Sequence, residues 1–152
     1  MVLLDAARCR YLHNLTRVLI LMTRDGPLWL VILSVCSGAS IGALLRWAVT
    51  YWLNPIWSVM PLGTLCVNLL GCYLIGIAVA WLTADPSVPP AVRLFLLTGF
   101  LGGLTAFSAF SGENVAMLAT TEYLRALVHM LAHVAGSFAM TALGMLTWKV
   151  LQ

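Results

Sequence analysis

Apolar side chains dominate four stretches of the chain, residues 28–53, 61–82, 92–111 and 126–148, and polar residues gather between them. A membrane-spanning helix needs about 20 predominantly apolar residues, so the pattern predicts an all-α membrane protein with four spans. The connections are short: residues 54–60 carry no charge, and residues 83–90 hold three prolines beside Asp85. The third stretch is uneven, because residues 99–113 place four glycines and three hydroxyl side chains in fifteen positions. Glycine in a helix interior costs roughly 1 kcal/mol, and irregular backbone at membrane depth persists only where it is buried in protein or lines a cavity. The spacing therefore predicts a broken third helix, with a site at the break.

Ahead of the first span, Leu4, Ala7, Tyr11, Leu15, Val18 and Met22 recur at three- and four-residue steps, the period of an amphipathic helix. Two readings fit residues 1–27: a helix lying on the cytoplasmic membrane face, or a mistaken start with Met22 as the first residue. A secretory signal does not fit, since the apolar run from Val18 to Met22 is shorter than the ~7 residues such a region requires. The chain thus divides into an extension, 1–27, and a four-helix domain, 28–152.

Composition narrows the class. Of 152 residues, 62% are apolar and 9% charged, against about 25% charged in soluble domains. Eight basic and five acidic residues are too few and too scattered for the clustered basic face that nucleic acid requires. Their use is topological. Arg8, Arg10, Arg17, Arg24, Arg93 and Lys149 share the side of the termini and Arg125 lies opposite, with Arg46 inside the membrane, so the positive-inside rule favours cytoplasmic termini. A start at Met22 leaves three charges, Arg24, Arg93 and Lys149, against Arg125, a far weaker bias. Cys9, Cys36, Cys66 and Cys72 show no C-x-x-C spacing and read as small apolar residues.

The polar residues within the spans carry the candidate chemistry. Gly38 and Gly42 make a G-x-x-x-G face that admits a neighbouring helix closely. Arg46, beside Trp47, Tyr51, Trp52 and Trp57, reads both as a snorkelling side chain at an aromatic belt and as a fixed positive charge at the mouth of a polar pathway. Thr64, Asn68 and Gly71 lie at i, i+4 and i+7 on one helix face. His129, His133, Ser137 and Thr141 follow at four-residue steps; the histidine pair lacks an apparent third ligand, and zinc sites use three or four, so helix contact or pathway lining is the reading. No Asp or Glu is expected in a span interior, which removes the carboxylate that a proton-coupled cation exporter needs. Hydroxyls, an amide, an arginine and the positive edges of Phe rings suit a small dehydrated anion. The carbonyls freed at a break suit a hard cation.

Three motifs together carry a resemblance: Gly38-x-x-x-Gly42-Ala43-x-x-Arg46-Trp47, Gly63-Thr64-Leu65-x-Val67-Asn68-x-x-Gly71, and Gly99-Phe100-x-Gly102-Gly103-x-Thr105-x-Phe107-Ser108-x-Phe110-Ser111-x-Glu113. Over about residues 28–151 the chain resembles the fluoride-channel family known as Fluc or CrcB. The resemblance implies a passive fluoride channel of the bacterial inner membrane, not an enzyme. It further implies an antiparallel, dual-topology homodimer of four-helix subunits in membrane lipid, with a structural sodium ion at its centre. By matching positions, it implies that Phe107 and Phe110 present ring edges to the pore, that Asn68, Thr64 and Ser108 supply donors, and that Arg46 stands at the vestibule. Gly102 and Thr105 would hold sodium through their carbonyls, Glu113 would lie near a pore entrance, and Ser137 and Thr141 would form a hydroxyl track.

The chain departs from the family pattern at Ala106 and Ala109, where threonine is frequent, at Trp47, where tyrosine is usual, and at His129 or His133, in a stretch where tyrosine or serine is typical. Two other classes compete. A small multidrug exporter would carry an intramembrane glutamate, and a structural or assembly subunit would use the glycine faces and polar residues for helix contacts alone.

Overall fold

The computed structural model describes residues 27–57 and 60–152; the two readings of the N-terminal extension fall on residues 1–26, outside the described residues. The described chain is all-helical. Helix α1 covers Leu28–Leu53 and ends in a 3-10 turn, Asn54–Ile56. Helix α2 covers Leu62–Ala84. A short helix α3, Pro90–Arg93, runs into a π-helical stretch, Leu94–Leu101, and then a single turn α4, Gly102–Leu104. Thr105 and Ala106 follow outside the α region, at φ −77°, ψ 151° and φ −137°, ψ 76°. Helix α5 resumes at Phe107–Ala119 and α6 covers Tyr123–Val150. Among the described residues, four segments are long and apolar enough to cross a membrane, Leu28–Ile56, Leu62–Ala84, Pro90–Ala119 and Tyr123–Val150.

The third segment continues past the apolar stretch that ends at residue 111. Its continuation to Ala119 puts Glu113 inside a membrane-length element, so the expectation of no carboxylate within a span is corrected. Polar residues near residue 111 end a hydropathy window, yet they do not end the helix, because α2 and α6 supply their partners. The Thr64 hydroxyl donates to Glu113 Oε1 at 2.6 Å, and the Asn114 amide donates to the Ala126 carbonyl at 2.8 Å.

The ends of the helices are fixed by specific side chains. Asn54 Oδ1 accepts from the backbone N–H groups of Gly63 at 2.7 Å and Thr64 at 3.3 Å, donors that the start of a helix otherwise leaves unmet. The buried Arg93 donates to the carbonyls of Pro86 at 2.9 Å, Val88 at 3.0 Å and Asp85 at 3.3 Å, tying down the proline-rich connection. Between α5 and α6, Glu122 N–H donates to the Met117 carbonyl and Thr121 N–H to that of Leu118. This pairing closes a helix through a left-handed residue, here Thr121 at φ 62°.

Packing follows the glycines. A methyl group at Gly42 would strike the Phe100 carbonyl, so α1 lies against the π-helical stretch backbone to backbone. Gly76 faces the Thr141 carbonyl and Gly144 the Tyr73 carbonyl, bringing α2 and α6 equally close. The core, where α2 meets the third segment, is Val67, Ala78, Leu82, Leu97, Leu101 and Leu104. Large apolar side chains such as Leu44, Leu70, Leu131 and Phe138 face outward, where hydrocarbon solvates them as well as a core would.

Candidate functional site

The turn at Thr105 and Ala106 is held from α2. Ala106 N–H donates to Asn68 Oδ1 at 2.7 Å, whereas a continued α-helix would send it to the carbonyl of Gly102. The Asn68 amide nitrogen reaches the Ala106 carbonyl at 3.4 Å and His133 Nδ1 at 3.1 Å. Since a backbone N–H can only donate, the amide orientation is set, and its NH₂ must be the donor to His133. By hydrogen-bond logic His133 then accepts at Nδ1 and carries its proton on Nε2. Asn114 repeats the arrangement one turn earlier in α6: its NH₂ donates to the Ala126 carbonyl and faces His129 Nδ1 at 3.3 Å.

Beneath the turn lies a cavity of about 460 Å³ lined by Asn68, Gly102, Thr105, Phe107, Phe110, His133, Ser137 and Thr141 among apolar residues. Among the described residues, no Asp, Glu, Lys or Arg lines it. The Phe107 and Phe110 rings lie 5.6 Å apart at 59°. Their settings differ: Phe107 is 77% exposed, while Phe110 is 8% exposed and packs on the His129 and His133 rings at 5.3 and 4.6 Å. The Thr141 hydroxyl donates to the Ser137 carbonyl at 2.9 Å.

Other residues singled out by the sequence stand apart from this cavity. Thr64 is buried and bonded to Glu113, whose second oxygen lies 3.4 Å from His129 Nε2. Glu113 lines a second pocket of about 440 Å³ with Glu122, Arg125 and Trp57. Ser108 is on the exposed face of α5. Arg46 is half-buried and donates from Nη1 to the Thr105 carbonyl at 3.2 Å.

The oxygens expected to hold a cation are partly suited to it. A hard cation takes oxygen ligands, and with Ala106 N–H drawn to Asn68 the Gly102 carbonyl faces no continuing helix, on a glycine that is itself exposed. The Thr105 carbonyl already accepts from Arg46, so a cation there would use its second lone pair. Asn114 and Asn54 were not singled out by sequence reasoning. An asparagine in a membrane-length segment is the signal that could have found Asn114.

A family model described as "CrcB-like protein, Camphor Resistance (CrcB)" matches residues 33–145. The chain is 49% identical over 120 residues to "Fluoride-specific ion channel FluC" of Thiobacillus denitrificans, covering 79% of this chain and 97% of the relative. It is 46% identical over 125 residues to the protein of the same name from Chromohalobacter salexigens, covering 82% and 95%. With that of Albidiferax ferrireducens it shares 50% over 120 residues, covering 79% and 92%. A match spanning most of the chain, and including the clasped turn, Asn68 and both phenylalanines, shows that this integral membrane protein belongs to the CrcB family.

Proposed function

We propose that the chain is the subunit of a fluoride-selective channel that lets cytoplasmic fluoride leave the cell passively across the bacterial inner membrane. The observation that carries this reading is the lining of the 460 Å³ cavity: an amide, hydroxyls and aromatic rings, with, among the described residues, no carboxylate to repel an anion and no fixed cation to trap it. The relatives' shared name supports the choice of anion.

Fluoride is strongly hydrated, so a pathway must replace its water with close donors. Ser137 and Thr141 supply hydroxyls along α6, the Phe107 and Phe110 ring edges supply weak positive potential, and Ser108 supplies a further hydroxyl. Conduction demands that no site hold the ion too firmly, which ring edges and rotatable hydroxyls satisfy. Arg46 raises the local anion concentration through its field. Asn68 shapes the path by fixing the turn, and Thr64 and Glu113 form its far end. Efflux needs no energy coupling, since a negative-inside potential drives the anion out at about 2.3 kcal/mol per 100 mV. The protein is a channel and not an enzyme.

The working unit in this reading is an antiparallel, dual-topology homodimer in which the broken third helices of two subunits meet. Sodium, held by the Gly102 and Thr105 carbonyls of both copies, would supply a positive centre joining the two breaks. The outward apolar faces support both a lipid boundary and a second copy. Fluoride-electrode recordings from proteoliposomes of the purified protein test the function: fluoride-selective efflux is expected, and a flux no faster than that of empty vesicles would end the reading. A topology reporter at Gln152 tests the dual insertion.

A further inference from the structure

Sequence spacing offers His129 and His133 as a metal-binding pair one ligand short; the fold brings the missing one from another helix. Glu113 on α5 meets both histidines of α6, and one ligating atom from each of the three lies within 4.8 Å of the others. His129 is 0% exposed and His133 3%. Among the described residues, each of the three also presents a buried side-chain atom that makes no hydrogen bond of good geometry: Glu113 Oε2 and His129 Nε2, which share only a long contact of 3.4 Å, and His133 Nε2. Buried polar atoms are rarely left so, because each orphan costs about 1–3 kcal/mol. Three under-satisfied polar atoms at one place make a position that an ion can occupy.

We infer that Glu113, His129 and His133 form a binding site for a divalent transition-metal ion of the zinc type, able to close the path between the two pockets they separate. Two imidazoles and a carboxylate are the ligand set of open zinc sites, which leave a fourth position to water or an anion. Hard cations such as magnesium prefer all-oxygen sites. An entry route exists, since Glu113 lines the second pocket beside Glu122, while His133 lines the phenylalanine cavity. An ion bound among them would stand between the two pockets.

The neighbouring amides determine what kind of metal site this is. Ligating histidines usually donate their other N–H to an acceptor, but here Asn68 and Asn114 turn NH₂ donors toward the two Nδ1 atoms. Metal at Nε2 moves each ring proton to Nδ1, against a donor. The site therefore suits a reversible, inhibitory ion more than a resident cofactor.

The test uses the full chain without an affinity tag, metal-free, in detergent. Cobalt(II) titration should give visible absorption bands of a four- or five-coordinate ion that saturate at one equivalent per chain and are displaced by zinc. His129→Gln should weaken cobalt binding at least tenfold, and Glu113→Gln likewise. Absence of a saturable cobalt spectrum in the wild-type protein would overturn the site, as would a His129→Gln variant that folds and binds cobalt equally well. The inhibitory consequence rests on the proposed channel function. Micromolar zinc should slow fluoride efflux in the wild type by tenfold or more and in His129→Gln far less, each relative to its own metal-free rate. A normal metal-free flux that zinc leaves untouched removes the inhibition, whereas no metal-free flux in the wild type counts against the channel reading and leaves the cobalt result standing.

Discussion

Asn68 holds Ala106 by the main chain on both sides, accepting from its N–H at 2.7 Å and reaching its carbonyl at 3.4 Å. The interruption of the third segment is thus stabilised by one side chain on a different helix. Burial inside the protein satisfies the condition for irregular backbone at membrane depth.

Replacing Asn68 by Ala leaves the buried Ala106 N–H without an acceptor, at about 1–3 kcal/mol. The Asn68→Ala protein should unfold earlier in a detergent thermal melt and carry less fluoride. Asn68→Asp keeps the acceptor but introduces a carboxylate at the cavity wall. It also loses the NH₂ that reaches the Ala106 carbonyl and His133 Nδ1 and buries a charge, so its melting temperature should fall as well, and its flux should fall further than that of Asn68→Ala.

The two phenylalanines should part company in stability and agree in transport. Phe107→Ile removes an exposed ring and should alter folding free energy by no more than ~0.5 kcal/mol, whereas Phe110→Ile unpacks two histidine rings and should lower the melting temperature. Fluoride flux should be abolished in both, with the oligomer intact by size-exclusion chromatography. Wild-type flux in either would remove that ring from the pathway.

Glycine substitutions distinguish close helix contacts from open surface. Gly76→Ala and Gly144→Ala drive a methyl into a facing carbonyl and should cost about 1–3 kcal/mol through forced separation of α2 and α6. Among the described residues, nothing lies within 4 Å of a methyl added at Gly112, and alanine is the better helix former by roughly 1 kcal/mol. Gly112→Ala should therefore be neutral or stabilising in the same denaturation assay.

At the α5–α6 junction, Thr121 adopts φ 62° with a branched β-carbon. A left-handed conformation costs an ordinary residue roughly 1–2 kcal/mol, and glycine escapes that penalty. Thr121→Gly should raise the unfolding free energy by about 1 kcal/mol without changing flux; a loss of stability would show that the threonine side chain contributes contacts that outweigh the strain.

The spans, the close-packing role of Gly38 and Gly42 and the unusual stretch around residue 102 were readable from the sequence, since each is a local signal of apolar run length or glycine spacing. Arg93 was read as a charge that orients the chain, whereas its guanidinium is buried on three carbonyls of the preceding connection; loop closure of that kind leaves no periodicity. Glu113 reads from the sequence as lying past the break and outside the span interior, because hydropathy treats each residue alone. Its partner Thr64 is 49 positions away, and His129 and His133 arrive from the following helix. Asn114 escaped for the same reason: what makes it tolerable is a carbonyl and an imidazole twelve and fifteen positions on. Distant polar pairs of this kind become visible only when the helices are assembled.

The grip on Ala106 also bears on which substitutions the turn can accept. Asn68 recognises main-chain atoms, so position 106 is freed from any requirement for a hydrogen-bonding side chain and is governed by the room around it. Alanine can stand there without loosening the turn. The shape of the turn is thus specified from α2, by a side chain thirty-eight residues earlier in the chain.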